Sequence, residues 1–120
     1  QPEEIIEEIH ALYDENQAYD WCLTQSNAMI VTMALLGGQG DLGRSICLAV
    51  QSAFDTDCNG ATVGSIVGMW QGASSIEPRW IQPLGGRLHT SIEGFSVEDV
   101  ESLVERTMAL ISRPSGSHIQ

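Results

Sequence analysis

Gly60, Gly64, Gly68 and Gly72 stand four residues apart in an apolar run that follows the polar knot Asp55-Thr56-Asp57-Cys58-Asn59. Spacing by four places all of them on one face of a helix. A glycine in mid-helix costs about 0.5–1 kcal/mol relative to alanine, so four of them require a compensating gain, and the close approach of another backbone supplies it. The stripe predicts a helix over about 58–73, packed tightly against a neighbour.

The flanking segments also read as helices. After Pro2, Ile5, Ile6, Ile9, Leu12 and Tyr13 recur at helical spacing behind an acidic first turn, predicting an amphipathic helix over about 3–18. From Asn27 to Leu36 the residues are apolar on nearly every side, predicting a helix over about 25–36 enclosed by others, with Gly37 and Gly38 as its stop. Asp41 caps a third helix over 41–54. Ser96 opens S-V-E-D, a capping box with Asp99 in place of Glu, ahead of a last helix over 97–112. Residues 74–95, marked by Pro78, Pro83, Gly85, Gly86 and Gly94, read as a surface connection, and 113–120 as a loose tail. With no alternating strand pattern, the expectation is an all-α bundle of about five helices.

Length and charge narrow the possibilities. The 120 residues suffice for a single domain over 1–120 with one core. Sixteen acidic residues against five arginines give a net charge of −11, which repels nucleic-acid phosphates and anionic lipid. No stretch has the composition of a signal peptide or a spanning helix. Cys22, Cys47 and Cys58 cannot all pair within one chain and contain no C-x-x-C, so a reducing cytoplasm is the expected compartment.

Chemistry concentrates at Asp55 and Asp57. The run Asp55 to Gly60 opens like an EF-hand loop, but its twelfth position is Ile66 where a bidentate Glu is required. Two readings remain. Either Asp caps the following helix at its positive end, or the two carboxylates converge on a hard divalent cation such as magnesium, which relieves their repulsion.

The run GQGDLGRSICLAVQSAFDTDCNGATVGSIVGMWQGASSIEPRW, with NAMIVTMALL upstream, resembles the C-terminal part of the ADP-ribosylglycohydrolase family, including the enzymes that release ADP-ribose from dinitrogenase reductase. The likeness spans about residues 20–112 and is most specific at DTDCNGATVGSIVG. It implies an all-helical fold and a binuclear Mg2+ or Mn2+ centre that binds the distal ribose of ADP-ribose. It also implies hydrolysis of ADP-ribosyl glycosidic linkages, with Asp55, Asp57 and Cys58 as metal ligands. Three departures stand out. Cys58 occupies a place where the family commonly has Thr, and a thiol is a soft ligand for magnesium. Ser52-Ala53-Phe54 precedes Asp55 where glycine is usual, and Ile76-Glu77-Pro78 separates an Ile and a Pro that the family tends to place together. The family's Thr-Asp-Asp motif, which brings further ligands and an acidic catalytic residue, does not occur in these 120 residues. The resemblance therefore implies a partial version of the enzyme, or an inactive acidic interaction module derived from it, and assigns no catalytic residue. Apolar faces left uncovered would favour a homo-oligomer.

Besides the Asp55–Cys58 segment, Trp70 and Trp80 are candidates to stack on an adenine, with Trp80 the substrate-binding candidate, and Arg79 and Arg87 are candidates to meet a pyrophosphate. His10, His89 and His118 are scattered and read as solvated.

Overall fold

The computed structural model describes residues 1–111. They are mostly helical, as expected: α1 Pro2–Leu12, α2 Thr24–Gly38, α3 Leu42–Gln51, α4 Thr56–Gln71, the short α5 Pro78–Ile81 and α6 Val100–Ile111, with 3-10 turns at Asp20–Cys22, Ala73–Ser75 and Gln82–Leu84. The chain divides into two compact units, Gln1–Ile76 and a second that begins at Glu77.

In the first unit α2 packs against α1, α3 and α4, and α3 lies along α4. The buried apolar side chains, Ile9, Ile30, Met33, Ala34, Leu42, Ala49, Phe54, Val63 and Val67, all belong to this unit. Among the described residues the buried core lies in this unit. Ile9, Ile30 and Phe54 form a cluster against which Tyr13 packs, so the residue before the Asp55 segment is anchored in the centre of the unit.

Several boundaries differ from the sequence expectation, each for a local reason. The first helix ends at Leu12 and not near 18. Asp14 accepts hydrogen bonds from the backbone N–H (2.9 Å) and side-chain amide (3.1 Å) of Asn16, a local turn that competes with helix continuation. These bonds hold the Asp14 carboxyl below its ordinary range. Gly37 and Gly38 do not stop α2 but lie inside it, and Gln39 ends it in the left-handed region at φ 53. Gly38 is needed where it stands, because a Cβ there would come within 2.9 Å of the Cα of Ser45 in α3. Asp41 caps α3 as expected, accepting from the Arg44 N–H at 2.6 Å.

The glycine stripe plays a different part from the one its spacing suggests. A Cβ on Gly60 would meet Val50 at 3.0 Å, one on Gly64 would meet Ile46 at 3.4 Å, and one on Gly68 would meet Ile76 at 3.6 Å, all of them side-chain atoms. Gly72 has nothing within 4 Å; it ends α4 at φ 80. The close approach of two backbones occurs instead at Gly38 and Ser45, two small buried residues.

Among the described residues of the second unit, none is fully buried. Ser96 is not a helix cap here. Val97–Asp99 forms a strand, β2, paired antiparallel with β1, Arg87–His89, in the register Arg87 with Asp99, Leu88 with Glu98 and His89 with Val97. The helix starts three residues later than the S-V-E-D pattern suggests, with Asp99 accepting from the Ser102 N–H at 3.0 Å. The segment 74–95 thus carries two 3-10 turns, α5 and β1, where a plain connection was expected. Strands of three residues are too short to leave an alternating pattern in the sequence. The expected tail 113–120 lies outside the described residues, as does His118.

Candidate metal centre

Asp55 occupies the N-cap position of α4, yet its side chain makes no capping hydrogen bond. This contrasts with Asp41, whose carboxylate does bond the first turn of α3. The Asp55 carboxylate turns instead toward Asp57 and Cys58, and the ligand atoms of the three residues all lie within 4.8 Å of one another. Asp55 is half-buried, while Asp57 and Cys58 are exposed. The hydrogen bond from the Cys58 thiol to Asp55, and then the negative charge of Asp55, hold the thiol above its ordinary pKa. Among the described residues neither carboxylate is in an ion pair, so two acidic groups share this surface without a protein cation.

Asn27, in the first turn of α2, holds the segment in place. Its side-chain oxygen accepts from the Asp55 backbone N–H at 3.2 Å and from the Asn59 side-chain amide at 2.6 Å. Its own amide donates to the carbonyls of Trp21 and Leu23, each at 2.9 Å. All of its strong hydrogen-bonding capacity is used in joining the 3-10 turn at Asp20–Cys22, the start of α2 and the start of α4. Asn59 is buried and committed to Asn27, which removes the fifth ligand position that an EF-hand would need. Ala53 (φ 63) and Phe54 (φ 59) precede Asp55 with two successive left-handed conformations, which residues other than glycine seldom adopt. This is the place where the resembled family usually has glycine.

His10 is not the solvated surface histidine that sequence suggests. One ring nitrogen lies 3.1 Å from the carbonyl oxygen of Ser52, the other lies 2.9 Å from Glu15, and the ring meets Phe54 at 4.9 Å between centroids. It braces the turn that leads into Asp55. Sequence gave no signal for this, because its partners are 42 and 5 residues away.

The other candidates are not part of the cluster. Trp80 belongs to α5 in the second unit; it is half-buried, and its indole N–H has no hydrogen-bond partner. Arg79 pairs with Glu77 at 2.8 Å and lies over the Trp80 ring. Arg87 and His89 are exposed on β1. Trp70 is exposed and lies against Gly40 at the turn between α2 and α3. Cys22, Cys47 and Cys58 are all free and exposed.

A family model for ADP-ribosylglycohydrolase matches residues 1–116. The chain belongs to the ADP-ribosylglycohydrolase family. The match begins earlier than the likeness at about residue 20 and takes in α1, the helix that carries His10. No curated protein and no solved structure matches the chain significantly. The Asp55-x-Asp57 pair of this family member is therefore built from a helix start, a turn with two left-handed residues and an asparagine hub, all within its first unit.

Proposed function

We propose that this chain takes part in the metal-dependent hydrolysis of ADP-ribosyl glycosidic linkages, with free ADP-ribose or an ADP-ribosylated acceptor as its ligand. We place it with the C-terminal part of the family, near the enzymes acting on dinitrogenase reductase, because it carries the late Asp-x-Asp and no Thr-Asp-Asp triplet. The observation that carries the reading is the uncapped Asp55 carboxylate, gathered with Asp57 and Cys58 within 4.8 Å. A carboxylate serving only as a helix cap would bond the first-turn amides, as Asp41 does.

The donor set suits a divalent cation in its two carboxylates and departs from magnesium's preference in its thiol. Asp55 and Asp57 would hold Mg2+ or Mn2+, one or both ions of a binuclear centre. A bound divalent cation supplies Lewis acidity toward ribose hydroxyls and orients water for attack at the anomeric carbon, through a transition state of oxocarbenium character. The chain's own contribution is positioning. Asn27 fixes the Asp55 backbone, Asn59 locks the first turn of α4, and His10 with Phe54 fixes the approach to them. The positive end of α4 favours negative charge in its first turn.

The test is a calorimetric titration of ADP-ribose into the chain with and without magnesium, beside Asp55→Ala, Asp57→Ala. Binding heat that needs magnesium and disappears in the double variant is the expected result. Heat that is absent, or indifferent to magnesium and to the substitutions, overturns the reading.

A second reading rests on a different observation. Leu36, Met69 and Trp70 are 75%, 84% and 74% exposed, a large apolar area for the surface of α2 and α4. It favours a helical interaction module that associates with a second copy of itself.

A further inference from the structure

We infer that the Asp55, Asp57 and Cys58 cluster selects a thiophilic divalent ion, of the zinc and cadmium type, over magnesium. The inference rests on the metal-site reading above and concerns only the identity of the ion. Magnesium requires near-octahedral oxygen ligands at about 2.0–2.1 Å. A sulfur in the donor set serves it poorly, whereas thiolate sulfur favours soft and borderline ions.

The spacing of the donors is compatible with one ion. Zinc sits about 2.0–2.2 Å from a carboxylate oxygen and about 2.3 Å from a thiolate sulfur, so neighbouring donors around a tetrahedral zinc stand about 3.5 Å apart. The three donors here lie within 4.8 Å of one another, wider than that spacing, so binding would draw the exposed Asp57 and Cys58 side chains inward. Asp57 and Cys58 are both exposed, leaving the outer side of the ion open to water. The thiol would bind as thiolate, its proton passing to solvent as the S–H bond is exchanged for a sulfur–metal bond. The cysteine also has a defined place in the chain. It follows Asp57 directly in the first turn of α4, and its sulfur lies within 4.8 Å of the Asp55 and Asp57 donor atoms. Cys22 and Cys47 lie in the Asp20–Cys22 turn and in α3, outside the cluster, and serve as internal controls for unspecific thiol binding.

The experiment titrates cadmium into the whole chain and into Cys58→Thr, which restores the hydroxyl common in the family, following the thiolate-to-cadmium charge-transfer absorption. Zinc and magnesium are then titrated as competitors. Expected are a one-to-one absorption change in the wild type, zinc displacing cadmium far below the magnesium concentration needed, and cadmium affinity at least about tenfold weaker in Cys58→Thr. Equal cadmium affinity in the two proteins, or magnesium competing as well as zinc, overturns the inference and leaves the magnesium reading standing. Binding of no divalent ion by either protein, with folding verified by circular dichroism, overturns both. Cys58→Ser serves as a second variant should Cys58→Thr fail to fold.

Discussion

Asn27 shows how much of a site can hang on one residue that carries no charge. Its side chain satisfies the Asp55 N–H and the buried Asn59 amide. Asn27→Ala leaves both without that partner, at about 1–3 kcal/mol for each buried group left unsatisfied. A loss of about 2–6 kcal/mol is therefore expected, measured as a lower midpoint in urea denaturation with an unchanged slope, together with loss of magnesium-dependent ADP-ribose heat in whatever fraction remains folded. A variant as stable as the parent would show that Asn27 is not the hub. At this scale sequence was informative about Asp55, Asp57 and Cys58, because acidic residues around a helix start have a small repertoire of uses. It was silent about His10 and Asn59. Their partners are a backbone carbonyl and a second amide from distant segments, and no local pattern encodes such pairings.

The helices themselves were legible wherever an apolar period ran for three turns, and so was the α3 start at Asp41, but several other ends were not. Ends depend on competition between single hydrogen bonds, as at Asp14, or on a tertiary neighbour, as at Gly38. The glycine stripe is instructive, because equal spacing concealed unequal roles: three positions face side chains and the fourth terminates the helix. The link between α3 and α4 carries the clearest element-level prediction. Ala53 sits at φ 63, a conformation costing a residue with a Cβ about 1–2 kcal/mol. Glycine there loses about 0.5–1 kcal/mol in unfolded-state entropy. Ala53→Gly is thus expected to stabilise the fold by about 0.5–1 kcal/mol, read as a raised melting temperature. A lowered one would mean that the turn is not strained. Phe54 offers no such relief, since its ring is part of the core with Ile9 and Ile30.

For the molecule as a whole, the strongly negative chain keeps large apolar side chains at the surface of its first unit. No helix among the described residues is long and apolar enough to cross a membrane, and self-association is the proposal made above for covering these side chains. Sedimentation at micromolar concentration is expected to give a mass of at least twice 13.0 kDa, falling to the monomer value in Met69→Glu. A folded monomer in the parent chain would end that proposal. The contacts that build the candidate centre join residues 28, 32 and 42 positions apart. Each closes a long loop, whose entropic penalty must be met before the contact forms. The helices can arise early and locally, but the ion-binding geometry exists only after α1, α2 and the α3–α4 turn have docked. Under the metal-site proposal, capture of an ion would fall at the end of the folding sequence, and tight binding would report that the rest of the first unit is already in place.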